Sequence, residues 1–292
     1  MFKALAQFLL KKRSNAILAA FLCAALPAVF VSFSAIIVAL VTLRKSAKEG
    51  GLVLCWAVLP VIAKAYVLEA YLFLTVSLMG FVLTWIMAVF LGYFSSWSAL
   101  IQAAAVLGVI VVAALHASGI DLVGWWLTHL VSYWQTINSS DGSVVNQTVM
   151  DKLNVLASLA TGFQVFVLLG MALLKLAVAR WMQAMLINPG GLRKELHRIH
   201  LERVYLVVFM LLLATAWLLS SLPVLDAALP LVGMYIVAGL STLHYWLAAY
   251  RYAVPALLGF YVMIVVIPYA MLMPLLIGAL DSGIDLRKRM SS

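Results

Sequence analysis

Residues 70–93 read AYLFLTVSLMGFVLTWIMAVFLGY, a run without a single charged side chain. A helix that crosses the hydrocarbon core of a bilayer needs about 20 predominantly apolar residues, so this run is long enough to span a membrane. Similar runs recur along the chain. We predict seven or eight hydrophobic segments, at residues 15–43, 51–68, 70–93, 97–117, 154–186, 204–222, 230–250 and 253–280.

The backbone restricts what such runs can form. Inside a bilayer every N–H and C=O must be bonded within the protein, which leaves α-helices or a closed β-barrel. A transmembrane barrel needs strands of about ten residues that alternate apolar and polar side chains. Because the runs here are continuous and rich in Leu, Ala and Val, we predict an all-α, polytopic integral membrane bundle. Residues 1–292 then form a single transmembrane domain surrounded by the lipid bilayer.

The overall composition favours the same class. Hydrophobic residues make up 66% of the chain and charged residues 10%, whereas soluble domains contain roughly 45–50% and about 25%. The formal net charge of +9 is concentrated in short segments, as expected when Lys and Arg collect in cytoplasmic loops. Nucleic acid is therefore not needed to explain it. Cys23 and Cys55 lie in apolar runs and indicate neither a disulfide framework nor a thiolate metal site.

Prolines interrupt the first and the last hydrophobic run. Pro27 lies within the first run, and Pro255, Pro268 and Pro274 lie within the last. Because proline removes a backbone donor and clashes with the preceding helical turn, we predict broken or re-entrant segments at both ends. The first run far exceeds the roughly 7–15 apolar residues of a secretory signal, so we assign it to the mature protein.

Loop charges predict the orientation. The loop at residues 118–153 carries three aspartates against one lysine, whereas residues 187–203 carry four Lys or Arg residues. By the positive-inside rule the first loop is outside and the second is cytoplasmic. In the outer loop Trp126, Leu130 and Trp134 recur at i, i+4 and i+8, which predicts one helical face. This helix either lies in the outer leaflet interface or forms a lid over an outward-facing cavity, and the turn-rich residues 138–143 follow it.

Polar residues within the apolar runs are candidates for binding a small molecule. Ionisable and polar groups are costly in a bilayer and persist mainly where they face a partner or a cavity. The substrate-binding candidates are Gln102, Gln164, Lys175 and His244. Gln164 and Lys175 are eleven residues apart and so share one side of a helix at 3.6 residues per turn. In the alternative interpretation Lys175 extends to the cytoplasmic boundary beside Arg180, and His244 with Arg251 marks a cytoplasmic helix end.

Residues 188–203 read NPGGLRKELHRIHLER and form the most distinctive hydrophilic segment. Asn188 to Gly191 has the composition of a turn. Next, Leu192, Leu196 and Ile199 predict the apolar stripe of a basic cytoplasmic helix. The solvent-facing side of this helix is predicted to carry Arg193, Lys194, His197 and Arg198. This face is either inert at the membrane surface or docks a protein partner or anionic lipid. His197 and His200, with Glu195 and Glu202 nearby, are possible metal ligands, but their spacing does not match the zinc-protease pattern and we assign no metal.

Nothing in the chain has the pattern of a catalytic triad, a phosphate-binding glycine loop or a pair of catalytic carboxylates, so we predict a protein that is not an enzyme and has no cofactor. His116 is interpreted as a hydrogen-bonded packing residue of its span. Gly162 and Gly170 are expected to allow neighbouring helices to approach closely, as small residues do in membranes.

The turn at Asn188 to Gly191, followed by Glu195 and His197, and the closing segment LDSGIDLRKR at residues 280–289 resemble the YybS-like family of bacterial membrane proteins of unknown function. That family is in turn similar to the substrate-binding S components of energy-coupling-factor transporters. The resemblance implies a multi-pass protein of the bacterial cytoplasmic membrane with an outward-facing small-molecule pocket.

Two functions follow as hypotheses. In the first the protein is a transport-related, small-molecule-binding subunit that depends on a partner for energy, since the chain has no ATP-binding motif. In the second it is a membrane scaffold that recruits a membrane or cytoplasmic protein through its basic helix. An intramembrane enzyme is a third and weaker hypothesis.

Overall fold

The structure is a computed structural model that describes residues 2–138, 146–248, 250 and 252–287. Within these ranges the chain is almost entirely helical and contains no β-strand, which confirms the all-α prediction. Most of the predicted turn at residues 138–143 lies outside the described residues, as do Arg251, Lys288 and Arg289.

The helices follow one another with short connections. They are α1 (Phe2–Lys11), α2 (Arg13–Ala25), α3 (Ala28–Arg44), α4 (Ala47–Val67), α5 (Tyr71–Phe94), α6 (Trp97–Ala117), α7 (Leu122–Asn138), α8 (Gln147–Ser158), α9 (Ala160–Ile187), α10 (Gly191–Leu196), α11 (Arg203–Leu218), α12 (Leu222–Leu247), α13 (Ala253–Val266) and α14 (Leu272–Ile284). A 3₁₀ helix, Pro268–Met271, joins α13 to α14.

Five of these helices are long and apolar enough to cross a membrane, judged by length and composition. They are α4, α5, α6, α9 and α12. The other hydrophobic runs are divided into apolar helices of 10–17 residues, which is less than the roughly 20 residues a crossing needs. The protein is thus an all-helical membrane protein with five candidate spans, fewer than the seven or eight hydrophobic segments predicted.

Two of the predicted interruptions occur at proline. Pro27 separates α2 from α3, and α3 folds back on α2, with the Ser34 hydroxyl donating to the carbonyl of Ala20 at 2.8 Å. Pro268 begins the 3₁₀ helix between α13 and α14. Both terminal runs are therefore broken, as predicted.

The other two prolines of the last run do not interrupt it. Pro255 and Pro274 are the third residues of α13 and α14. In the first turn of a helix the backbone N–H has no intrahelical acceptor, so a proline there removes no hydrogen bond.

One compact unit comprises residues 1–100 and 168–199. At its centre α3 packs against α2, α4 and α5 and is buried continuously from Ser34 to Thr42. A helix that is apolar on all sides is expected to be buried in this way. Arg13, at the start of α2, forms an ion pair with Glu49 in the first turn of α4. Because α3 ends at Arg44, just before α4, the pair of helices α2 and α3 returns to the end of the unit where it began.

The second compact unit comprises residues 101–167 and 200–292. Its central pair is α12 and α14, which pack more extensively than any other two helices. A Cβ atom on Gly239 would lie 2.6 Å from the carbonyl carbon of Pro274, and one on Gly278 would lie 2.8 Å from the amide nitrogen of Gly239. Only glycine permits backbones to approach so closely. Thr242 contacts Asp281 farther along both helices, so α12 and α14 run in the same direction.

Candidate functional site

The polar centre of the second unit is Asp226, in the second turn of α12. Its side chain is fully buried. One carboxylate oxygen, Oδ1, accepts the backbone N–H of Gly162 at 2.8 Å. The other, Oδ2, lies 2.8 Å from Nε2 of His116. A single carboxylate therefore joins the end of α6, the start of α9 and the start of α12.

The local sequence explains why a carboxylate is stable at this place. Helix α9 begins at Ala160, so the N–H of Gly162 is one of the first-turn donors that have no partner within the helix. An acidic group at a helix amino terminus is also favoured by the helix dipole. Residue 162 has to be glycine, because a Cβ atom there would lie 2.7 Å from Oδ1 and 2.8 Å from the carbonyl carbon of Asp226.

Helix α7 is attached to the same turn of α9. The predicted face is confirmed, since Trp126, Leu130 and Trp134 are all half-buried, whereas Trp125 on another side is exposed. The indole Nε1–H of Trp126 donates to the hydroxyl of Thr161 at 3.0 Å, next to the glycine that binds Asp226. The Trp-rich helix α7 thus packs beside the Asp226 site.

The pair of Asp226 and His116 is able to hold a proton in two arrangements. With one proton shared between them, either a carboxylate faces an imidazolium or a neutral carboxylic acid faces a neutral ring. The side chain of His116 is 16% exposed, whereas that of Asp226 is inaccessible to solvent. The accessible part of the pair therefore lies on the histidine side. Ionisable groups inside apolar helices of a membrane protein are costly and commonly serve binding or proton transfer.

In the first unit the basic segment is shorter as a helix than the sequence indicates. The predicted turn is present, with Gly190 at φ +83° and the N–H of Gly191 donating to the carbonyl of Asn188 at 2.9 Å. Helix α10 then ends at Leu196, so the predicted helix through residue 203 is wrong in its extent. The physical reason is burial. Ile199 and Leu201, in the non-helical residues that follow α10, are each 1% exposed, so tertiary packing rather than helical periodicity sets the backbone there.

Glu195 holds α10 against the rest of the first unit. Arg180 of α9 donates two hydrogen bonds to its carboxylate, at 3.0 and 2.6 Å, and the indole N–H of Trp97 donates a third at 3.1 Å. Burial alone would raise the pKa of Glu195, but the hydrogen bonds from Arg180 and Trp97 and the charge of Arg180 outweigh it and lower the pKa. Arg180 also donates to Gln183, whose amide reaches the carbonyl of Leu43 at 3.0 Å.

This network fixes which residues of the basic segment face outward. Arg193, Lys194 and Arg198 are exposed, and His197 is half-buried. Because Glu195 is bound by Arg180, it is not part of a metal site with His197 and His200. Among the described residues, the group of possible ligands that lies close together is instead His200, Asp281 and Asp285.

The four predicted substrate-binding residues lie on three helices, α6, α9 and α12. Gln102 is buried in α6, and its amide nitrogen has no hydrogen-bond partner within the described part of the chain. Gln164 in α9 is half-buried. Lys175, also in α9 and half-buried, lies in the first unit, where its Nζ would be 3.6 Å from a Cβ on Gly80. His244 lies near the end of α12, with Nε2 2.8 Å from the hydroxyl of Tyr261.

Sequence reasoning missed Asp226, although a signal was available. The seventh hydrophobic segment was predicted at residues 230–250, whereas α12 begins at Leu222. With that boundary Asp226 would have been recognised as an acid inside an apolar helix. Comparison with known proteins adds no relative, since no family model, curated protein or solved structure matches the chain.

Proposed function

We propose that this protein is a transport-related, multi-pass protein of the bacterial cytoplasmic membrane that binds a small molecule or ion at the pair of Asp226 and His116. In this proposal residues 1–292 form one transmembrane domain without enzymatic activity. The supporting observation is the fully buried carboxylate of Asp226, which two other helices engage through His116 and Gly162.

The cost of burying this group favours a functional role. An unpaired carboxylate transferred from water to an apolar interior costs several kcal/mol even after relaxation, and a pair recovers this cost only with good hydrogen bonds. An apolar side chain of similar size would pack the same three helices at lower cost. Retention of a titratable pair therefore fits a site that binds a ligand or exchanges a proton.

The proposed topology places this pair near the outer surface. With the 118–153 loop outside, α6 ends, α9 begins and α12 begins on that side, and Trp126 of α7 lies beside the pair. The broken helix pairs α2–α3 and α13–α14 are then re-entrant segments that return to the cytoplasmic side. This accounts for basic residues on both sides of the first run and at the end of the last one.

Native mass spectrometry of the intact protein, purified from its own host, tests the proposal. We expect the wild-type chain to carry a small molecule that is not a phospholipid. The Asp226→Asn variant should lose it, because the amide cannot supply the negative charge. Asp151→Asn is the matched control, since Asp151 is an exposed acid of α8 in the same unit. A wild-type chain that carries lipid alone, or a ligand that both variants retain, would contradict the proposal.

A second function is supported by a different observation. Arg180 and Trp97 bind the carboxylate of Glu195, so this acid does not neutralise the exposed side chains of Arg193 and Lys194 beside it. We infer as the alternative that α10 and the turn after it recruit an acidic protein partner, which would make the protein a membrane scaffold.

Charge reversal tests this alternative. A triple variant is made by changing Arg193, Lys194 and Arg198 to Glu. The matched control reverses three exposed lysines elsewhere in the first unit, namely Lys11, Lys12 and Lys48. We expect the first variant to lose a stoichiometric partner in pull-downs from the host membrane and the second to keep it. Equal recovery of the partner with both variants would refute docking at α10.

A further inference from the structure

A second cluster of titratable groups lies at the other end of the second unit, where α12 and α14 end and α11 begins. Its members are His200, Asp281 and Asp285. One possible ligand atom from each lies within 4.8 Å of the others. Sixteen residues of α12 separate Asp226 from Thr242, which contacts this cluster, and at 1.5 Å per residue this is about 24 Å. The cluster is therefore distinct from the Asp226 site.

Asp281 is the buried member of the cluster, with 2% of the residue exposed. Its Oδ2 accepts a hydrogen bond from the hydroxyl of Thr242 at 3.0 Å and lies 3.3 Å from Nε of Arg287. Nδ1 of His200 is 3.8 Å from the same oxygen. The second oxygen, Oδ1, is buried and has no hydrogen-bond partner among the residues that the structure describes. A buried carboxylate oxygen without a partner is costly.

The turn after α14 brings Asp285 back to this carboxylate. Asp285 follows the last residue of α14 and adopts a left-handed conformation with φ +51°. Its N–H donates to the carbonyl of Asp281 at 3.0 Å, which closes one further helical turn. Residues four apart on such a turn are neighbours, so the two carboxylates converge next to His200.

We propose that His200, Asp281 and Asp285 bind one divalent transition-metal ion, of the class of Mn²⁺ or Zn²⁺. Carboxylate oxygens and imidazole nitrogen are ligands that these ions accept together. The ion would engage the unpartnered Oδ1 of Asp281, and water would complete its coordination.

The charges near the cluster permit a cation. Among the described groups at the cluster, the two aspartates contribute −2, a neutral His200 contributes nothing and Arg287 contributes +1, so these groups together are net negative before an ion binds. Arg287 also donates to the hydroxyls of Ser241 and Thr242, at 3.0 and 2.7 Å. These two hydroxyls hold the guanidinium next to the carboxylate of Asp281. Arg287 therefore competes with the ion for Asp281.

Titration of the full-length protein in detergent tests the site. The protein is treated with a chelator, freed of it, and titrated with Mn²⁺ and separately with Zn²⁺ by calorimetry. We expect one ion per chain. The variants His200→Ala and Asp285→Asn should each weaken binding by more than about tenfold, because even outer-shell partners of metal ligands are worth 10–100-fold in affinity. His197→Ala is the matched control and should bind as the wild type does.

Two further variants sharpen the result. Arg287→Gln should bind the ion more tightly, since it removes the competing cation. Asp281→Asn should abolish binding, and if it does not fold, His200→Ala and Asp285→Asn decide the question, because neither of these residues is fully buried. Absence of binding to the wild type, or affinity unchanged in both of those variants, would overturn the metal site.

Discussion

Replacement of Gly162 by alanine is the sharpest test of the Asp226 site. The sequence predicts that both Gly162 and Gly170 allow close helix packing, and both lie in α9. The structure separates them, because a Cβ on Gly162 would lie 2.7 Å from Oδ1 of Asp226 and nearer still to its backbone carbonyl oxygen, whereas nothing lies within 4 Å of a Cβ on Gly170.

The expected magnitude follows from three contributions. Extra volume in a filled interior costs about 1–3 kcal/mol. Separation of the two backbones also lengthens the hydrogen bond from the Gly162 N–H to Asp226, and such bonds within membranes are worth about 1 kcal/mol. Alanine recovers at most about 1 kcal/mol through its higher helix propensity. We therefore expect Gly162→Ala to lower the free energy of unfolding by about 1–3 kcal/mol. Gly170→Ala should leave it unchanged or raise it by up to about 1 kcal/mol.

The assay is unfolding of the purified protein in mixed micelles with increasing SDS, followed by tryptophan fluorescence and circular dichroism. The two variants have the same composition and differ only in where the methyl group is added along α9. A loss of stability of equal size in both, or a stable Gly162→Ala protein that keeps its wild-type unfolding midpoint, would refute the close approach of α9 and α12 and with it the geometry around Asp226.

Three further predictions concern other contacts. The pKa of Glu195 is lowered in the folded protein, so its pair with Arg180 contributes stability that is present above pH 4.5, the ordinary glutamate value, and is lost as the pH falls. The unfolding midpoint of the Glu195→Gln variant should therefore fall less steeply than that of the wild type between pH 6 and pH 3. Parallel curves for the two proteins would contradict this pairing. Trp126→Phe should lower the free energy of unfolding by about 1 kcal/mol through loss of its hydrogen bond to α9. In a double-mutant cycle, adding Thr161→Val to Trp126→Phe should cause no further loss of stability from this bond. Fully additive effects of the two substitutions would contradict the hydrogen bond. Gly239→Ala should destabilise the protein by about 1–3 kcal/mol because it separates α12 from α14. The control Gly259→Ala in α13, where a Cβ meets open space, should not destabilise it. An unchanged stability of Gly239→Ala would show that α12 and α14 do not approach as closely as described.

The predictions from sequence that succeeded concern features that depend on local sequence and on contact with lipid. Long uncharged runs such as residues 70–93 indicated helices because lipid cannot satisfy a bare backbone, and α5 covers nearly the same range, Tyr71–Phe94. Pro27 and Pro268 indicated breaks for a reason equally local, the missing N–H. The face of Trp126, Leu130 and Trp134 followed from helical periodicity alone.

Predictions that depend on partners distant in sequence were incomplete. Arg180 was considered only as a residue that extends towards the membrane boundary, whereas it binds Glu195, fifteen residues away, in a network that includes Trp97. The end of α10 at Leu196 was not predicted, because the burial of Ile199 and Leu201 in the non-helical residues after it depends on packing with residues distant in sequence. Gln102, Gln164, Lys175 and His244 remain predictions as substrate-binding residues.

By itself the sequence determined the environment of this protein and the positions of most of its helices, because hydrophobicity and proline act over one or two helical turns. The tertiary structure alone decided that Asp226 meets His116 across 110 positions, and that Asp281 meets His200 across 81. A carboxylate inside an apolar interior accepts hydrogen bonds from the donors that the packed helices bring within about 3 Å. Helix packing, not the spacing of residues in the sequence, determines which donors these are.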